Sequence, residues 1–460
     1  MILRTPTGSS KQTGIAGIRF AAPVLLVFMF CLTMIGCTTG PKGPGADLEN
    51  SRPLTEEQRR LNIESFEYIW QTINDKYWDP EMGGLDWQSI HDELYPSIEK
   101  AKTMEEARQP MFELVSKLGK SHFQIFPADL YEDINPDGTV DKGDGATGMH
   151  IRVVDKQALV VSVEPSSPAG QLGIRPGWEI LRIGGIEIRP KLEELFEKFG
   201  DKTFDDYIYS GAIDSRLHRQ IGDTVSVQFL DGRNNKKDLE IVLAEAKGKR
   251  AQFGNLPATH VWVETKRLDE NIGYIAFNFF LDPMLVMMSV NTAMDEFQDC
   301  RGIIIDLRGN PGGIGSMAMG IAGWFIDEKG YRLGTMTTRE GEIKFVVSPR
   351  AHTFNGPLAV LIDGLSASTS EILAGGLRDL ERAQLFGEQT AGAALPSMIE
   401  KLPNGDGFQY AIADYVSKSG DTLEGAGVLP HVEVVPTREK LLQGGDPILD
   451  SAVDWMLETH

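Results

Sequence analysis

Three serines, Ser366, Ser368 and Ser370, fall within the stretch "DGLSASTSEILAGG" at 363–376. An apolar run, "LAVLID", precedes them, and a helix-like run, "STSEILAGGLRDL", follows. The pattern predicts a strand turning into a helix, with Ser368 at the turn. A hydroxyl there sits at the positive end of the helix dipole. That field favours an alkoxide and any oxyanion formed beside it. A plain helix cap suits the same position, and most serines at helix starts are caps.

A second strand-to-helix turn lies in "GIIIDLRGNPGGIGSMAMG" at 302–320, where Asn310-Pro311-Gly312-Gly313 ends the strand. Glycines let backbone N–H groups turn outward, which suits an oxyanion hole. Such a turn also suits phosphate. No Gly-Lys-Ser/Thr follows, as a P-loop requires. Eight histidines and three cysteines give no zinc cluster with sensible spacing. No metal and no organic cofactor is expected. A formal charge of −21 argues against non-specific nucleic-acid binding.

The elements that must position these turns fall into three regions. Residues 53–128 read as a small helical domain. Thr55 and Gln58 form a candidate capping box, and Phe66, Ile69, Ile73 and Tyr77 follow helical spacing. Further helices are expected over 87–100 and 104–118, with Gly119 as a C-terminal cap. "GKSHFQIFP" then leaves the helix and runs into a strand. After a turn-rich stretch at 133–148, short apolar strands dominate 143–246: "GMHIRVV", "ALVVSVE", "GWEILRIGG" and "TVSVQFL". From 258 to 460, beyond a charged linker, strands and helices alternate. That predicts an α/β core around a largely parallel sheet.

The segment "SSPAGQLGIRPGWEILRIGGIEI" resembles a PDZ domain of the bacterial protease type. The resemblance makes Gly148, Met149, His150 and Ile151 the loop that receives a peptide C-terminal carboxylate. The partner peptide then adds as a strand to the sheet edge. A polar, helix-like insert at about 190–220 departs from the minimal pattern. His150 reads as structural rather than catalytic.

Together, "GYIAFNFF", "GIIIDLRGNPGG" and "LIDGLSASTSEILAGGLRDLERAQLFGEQTAG" resemble peptidase family S41, the C-terminal processing and tricorn-type serine peptidases. The resemblance implies a multidomain α/β fold: a helical N-terminal domain, a PDZ-like domain and a ClpP/crotonase-like core. It makes Ser368 the nucleophile. The N–H of Thr369 and that of Gly312 or Gly313 complete the oxyanion hole. Processing peptidases take their base from a lysine in Thr-x-Gly-Lys-Gly. Here "TAGAA" at 390–394 puts Ala393 in that place. Lys401 is a nearby but displaced substitute. The tricorn-like branch uses a serine-preceded histidine and a distant glutamate instead. "LGKSHF" supplies Ser121 and His122, and "EGAGVLP" supplies Glu424. The expected tetrad is therefore Ser368, His122, Ser121 and Glu424. Because His122 and Ser368 come from different predicted domains, a domain shift could switch activity.

The N-terminus resembles a bacterial lipoprotein signal over 1–36. Arg4, Lys11 and Arg19 precede "FAAPVLLVFMFCLTMIG", and Cys37 follows as the lipidation site. A transmembrane anchor is the other reading of the run, which is short for a span. Residues 37–52 read as a flexible tether. These features imply an outer-membrane lipoprotein of the cell envelope, facing the periplasm or the cell surface. The expected activity is endopeptidase cleavage of proteins or peptides. Two other readings use the same scaffold: an inactive binding protein for an apolar ligand or peptide, and a PDZ scaffold in the envelope.

Overall fold

The computed structural model describes residues 27–29, 52–128, 144–200 and 204–459. The leader, Cys37 and the tether lie outside the described residues, apart from the short strand Val27–Met29 and Arg52 at the tether's end. No helix among the described residues is long and apolar enough to cross a membrane.

Three helices, Glu56–Lys76, Trp87–Lys100 and Met104–Ser116, form the N-terminal region. Each starts where a side chain takes an orphan backbone N–H. Thr55 and Gln58 close a reciprocal capping box, and Asp86 and Thr103 cap the other two. Their apolar faces bury Phe66, Ile69, Ile73, Leu94, Met111 and Leu114. Phe408, Tyr410, Leu395 and Leu402 from the far end of the chain lie in that same core. The strand Gln124–Phe126 pairs antiparallel with Gly407–Ala411. Arg108 meets Asp406 at 2.7 Å, and both side chains are buried. Arg339 donates to the carbonyls of Asn74 and Tyr77, at the C-terminal end of the first helix. The segment bearing His122 is thus packed and hydrogen-bonded into the C-terminal region.

The middle region is an antiparallel sheet. Its strands run in the order Lys236–Val242, Thr224–Leu230, Glu179–Ile183, Gln157–Val163 and Met149–Val154. Met149–Val154 is an edge strand. The polar insert forms two helices, Ile188–Phe199 and Asp205–Asp214, and the second lies along that edge strand. This region has its own core around Ile151, Val160, Ile180, Phe229 and Ile213.

In the C-terminal region, Ile272–Phe277, Gly302–Asp306, Leu358–Ile362, Gln384–Gly387 and Val432–Glu433 are parallel neighbours. Val263–Leu268 adds antiparallel at the edge. The strands Gly302–Asp306 and Leu358–Ile362 are buried throughout. Both faces are covered, so they read as continuous apolar runs rather than alternating ones. Ile303, Ile305 and Val360 face one core with Leu373 of the helix Thr369–Asp379. Ile304 and Leu361 face the other, with Ile448 and Met456 of the last helix, Pro447–Thr459. Two antiparallel hairpins, Arg332–Val346 and Ser397–Ala411, are added to this layered plan.

The Arg108–Asp406 pair fastens the helical region to the hairpin. Removing one partner strands a buried charge, so Arg108→Ala is expected to lower the unfolding free energy by about 3–5 kcal/mol in a denaturant titration. A change below about 1 kcal/mol, the range of a surface pair, contradicts this role.

Candidate active site

The strand Leu358–Ile362 ends at Asp363, and the helix Thr369–Asp379 begins one residue after Ser368. Ser368 has φ 57° and ψ −113°, a conformation that costs an L-residue free energy and that its surroundings must enforce. Its Oγ is buried and makes no hydrogen bond among the described residues. Its neighbours behave differently. Ser366 Oγ donates to Leu307 O at 2.8 Å, and Ser370 Oγ donates to Asn310 O at 2.8 Å. Ala367 N donates to Asn310 O, and Thr369 Oγ1 to Gly313 O. The outer serines tie the two strand-to-helix turns together, and the middle one is left for another partner.

Gly312 shows why that turn needs glycine. A Cβ there would lie 2.8 Å from Ser368 Cβ and from Thr369 N, and φ is +99°. Gly312 N–H already donates to Asn310 Oδ1 at 2.9 Å. Phe280 N donates to Gly312 O, and Ile314 N donates to Phe280 O. By strand alternation, Gly313 N–H therefore points the opposite way, toward the strand Val27–Met29, where Phe28 is its register partner. That short strand also pairs with Ser397. An extended chain thus fits between Gly312–Ile314 and the hairpin strand Ser397–Lys401.

On the other side, Ser121 and His122 follow the helix Met104–Ser116. Ser121 Oγ lies 2.7 Å from His122 Nδ1 and donates to Glu424 Oε2 at 2.7 Å. Ser121 N donates to Glu424 Oε1 at 2.8 Å. A hydroxyl that donates to the carboxylate can only accept from the ring. Nδ1 then carries the proton, and Nε2 keeps its lone pair. Burial pushes the imidazole down to about 3, so it is neutral near pH 7. Burial raises Glu424, against the lowering effect of the bonds from Ser121 and Ala394.

The two halves meet on the backbone of 392–394. Ser368 N donates to Ala393 O at 2.9 Å, and Ala394 N donates to Glu424 Oε2 at 3.2 Å. Ala393 is fully buried. Lys401 is exposed at the far end of its hairpin strand, opposite Gly407. Position 393 thus carries no lysine side chain.

In the middle region, Gly148 has φ +76°, and a Cβ there would meet Ser167. Met149 is buried, His150 is exposed near Glu164, and Ile151 lies in the edge strand. Three further residues carry no motif signal or only a faint one. Arg152 is buried in the edge strand and pairs with Asp206 at 2.7 Å, Asp363 at 2.9 Å and Glu388 at 3.1 Å. Burial works against its charge, but the three carboxylates outweigh it. Asp363 in turn accepts from Gly309 N and Leu365 N, so Arg152 supports both turns. Tyr207 donates to Leu365 O beside them. Glu371, buried under Ser368, is signalled only by its Ser-x-x-Glu spacing.

Residues 271–434 match the family described as peptidase family S41, and residues 63–116 match the tricorn protease C1 domain. A carboxyl-terminal-processing protease of Synechocystis is 24% identical over 384 residues, covering 82% of this chain and 81% of its own. The chloroplastic carboxyl-terminal-processing peptidase 3 of Arabidopsis thaliana is 26% identical over 394 residues, covering 84% and 70%. Among solved structures, mature CPAF aligns with a TM-score of 0.60 at 12% identity, over 87% of this chain and 97% of its own. The photosystem II D1 C-terminal processing protease aligns with a TM-score of 0.54 at 19% identity, over 86% and 99%. These two structures share the fold.

A neutral, buried His122 makes stability depend on pH. Its folded value, about 3, lies below its ordinary 6.5. Its contribution is fully present above pH 6.5 and is lost as pH falls toward 3. Glu371, raised to about 7 by burial, acts in the opposite sense and loses its contribution as pH rises through 7. Comparing the parent with His122→Ala isolates the histidine. The parent's stability relative to the variant is expected to shrink steadily below pH 6.5 in denaturant titrations. A difference that stays constant with pH contradicts the buried neutral imidazole.

Proposed function

We propose that this chain, a member of peptidase family S41 and a serine-type hydrolase of peptide bonds, works through Ser368, His122, Ser121 and Glu424. The observation that carries the reading is the bonded chain His122–Ser121–Glu424. It shares the backbone of 392–394 with Ser368, whose buried hydroxyl has no bond among the described residues. An inactive binding protein has no need for a polarised buried imidazole, so nothing observed favours that alternative.

In this mechanism Ser368 Oγ attacks the substrate carbonyl carbon, and His122 Nε2 takes its proton. Ser121 and Glu424 hold the ring in one tautomer and stabilise the cation. The tetrahedral oxyanion accepts from Thr369 N–H and Gly313 N–H. Collapse releases the amine, which receives the proton from His122, and leaves an acyl group on Ser368. Water, deprotonated by His122, then releases the acid. The path of Val27–Met29 supports an extended substrate hydrogen-bonded along Gly312–Ile314. On this reading the leader is removed and Cys37 is lipidated. The mature enzyme then works as a lipoprotein in the bacterial envelope, and its slot is open to protein or peptide substrates.

The middle region is read as PDZ-like and the C-terminal region as ClpP/crotonase-like. In the first, the loop Gly148–Ile151 receives a substrate C-terminus beside the edge strand. Arg152 on that strand carries the domain's position to the nucleophile turn through Asp363.

Digestion of casein by the detergent-solubilised chain tests the mechanism. Ser368→Ala and His122→Ala are each expected to lower kcat by about 10³-fold or more. Activity kept in either variant contradicts the tetrad. Arg152→Ala leaves Asp363 and Glu388 without their cation. It is expected to lower kcat/KM by about tenfold or more while the fluorescence spectrum of the fold is kept. Unchanged kcat/KM contradicts the coupling between the middle region and the site.

A further inference from the structure

We propose that Glu371 is the positioning residue of this site: its carboxylate holds the nucleophile turn and residues 390–394 in the one register that brings Ser368 and the His122–Ser121–Glu424 chain together. The role of those four residues rests on the reading above; the position of Glu371 does not.

Glu371 is completely buried. Four donors converge on its two oxygens. Oε2 accepts from Ser368 N at 2.9 Å and from Ala393 N at 3.0 Å. Oε1 accepts from Thr390 Oγ1 at 2.6 Å and from Gly392 N at 2.8 Å. Three of the four are backbone N–H groups, which can only donate, and the Thr390 hydroxyl completes the set, so the ionised carboxylate accepts all four. An amide in its place sets its own N–H group against at least one of these backbone N–H groups. Burial pushes the carboxyl up to about 7, against the lowering effect of these bonds.

The segment it holds is the one on which both halves of the site depend. Ala393 O accepts Ser368 N–H, Gly392 O accepts Gly425 N–H beside Glu424, and Ala394 N donates to Glu424 itself. Val428 N donates to Thr390 Oγ1, which fixes the far side of the Glu424 loop. The strained backbone of Ser368 is therefore clamped from below by the group that also sets the position of Glu424. Where processing peptidases carry a lysine side chain, this chain uses the backbone of Ala393. The Ala393 methyl packs with Tyr207, Ala367 and Ala391.

The other ionisable groups around Glu371 are few. Tyr207, of the helix Asp205–Asp214, feels its charge together with those of Asp363, Arg152 and Asp206. His122 and Glu424 lie beyond the 392–394 backbone.

The test compares the full-length chain with Glu371→Gln and Thr390→Val by hydrogen exchange at a single pH, and by the pH profile of peptide hydrolysis. In Glu371→Gln, exchange in peptides covering 366–372 and 390–394 is expected to rise about tenfold or more, while the strands Gly302–Asp306 and Gln124–Phe126 stay protected. Unchanged exchange at 390–394, or a rise spread over the whole chain, overturns the proposal. Turnover by the parent is expected to fall as pH drops through about 7. Thr390→Val removes a donor that favours the carboxylate, so this limb moves to higher pH. Glu371→Gln loses the limb, with kcat reduced about 100-fold and KM within about twofold. A limb that stays in place in both variants overturns the proposal. A local exchange change in a parent that hydrolyses nothing supports the positioning role and counts against the peptidase reading instead.

Discussion

A hydroxyl and an imidazole can be kept reactive in a protein interior only if the polar groups around them are already bonded. Here that condition is met by the backbone of 392–394. This short run lies between Ser368 and Glu424 and gives each a direct hydrogen bond. The interior is apolar enough to keep His122 neutral, which suits a base. It is also polar enough, through Ser121 and Glu424, to receive the cation that a base becomes. An unmatched donor in such surroundings costs about 1–3 kcal/mol. That is why Ser366, Ser370, Thr369 and Asn310 are each bonded, while Ser368 Oγ has no bond among the described residues.

Everything farther out keeps that run in place. The parallel sheet delivers both strand-to-helix turns at the same end of neighbouring strands, a usual place for sites in such sheets. The helical region brings Ser121 and His122 to it and is fixed by a shared sheet, a shared core and the Arg108–Asp406 pair. The middle region touches the site through charge and through the small apolar cluster of Tyr207 with Ala367, Ala391 and Ala393. Arg152 reaches Asp363 and Glu388 from an edge strand with its own separate core.

Local signals were readable from the residues themselves. The serine turn, the glycine turn, the capped helix at Thr55 and the buried runs "GIIID" and "LAVLI" each depend on neighbours in sequence. The pairing of Ser121 with Glu424 spans 303 positions, and that of Arg152 with Asp363 spans 211. No periodicity encodes such distances. Family resemblance raised the first, and nothing raised the second. The hairpin Arg332–Val346 turns at Arg339-Glu340, which carries no strong turn signal; Ser397–Ala411 does carry one, Asn404-Gly405, which the expected alternation of strand and helix passed over. The choice between Gly312 and Gly313 was open for a similar reason. It depends on which carbonyl Phe280 bonds, a long-range fact. Glu371 was visible only as a helix cap, because a count of its donors needs the loop at 390–394 in place.

The central claim is that Ser368 is the nucleophile and that a histidine, with no lysine at position 393, activates it. The most direct measurement is reaction with a fluorophosphonate, followed by mass mapping of the adduct in the parent chain and in His122→Ala. The account predicts a single phosphonyl group on the peptide containing Ser368, formed in the parent and suppressed in the variant. An adduct on another residue, or equal labelling of Ser368 without His122, would contradict it.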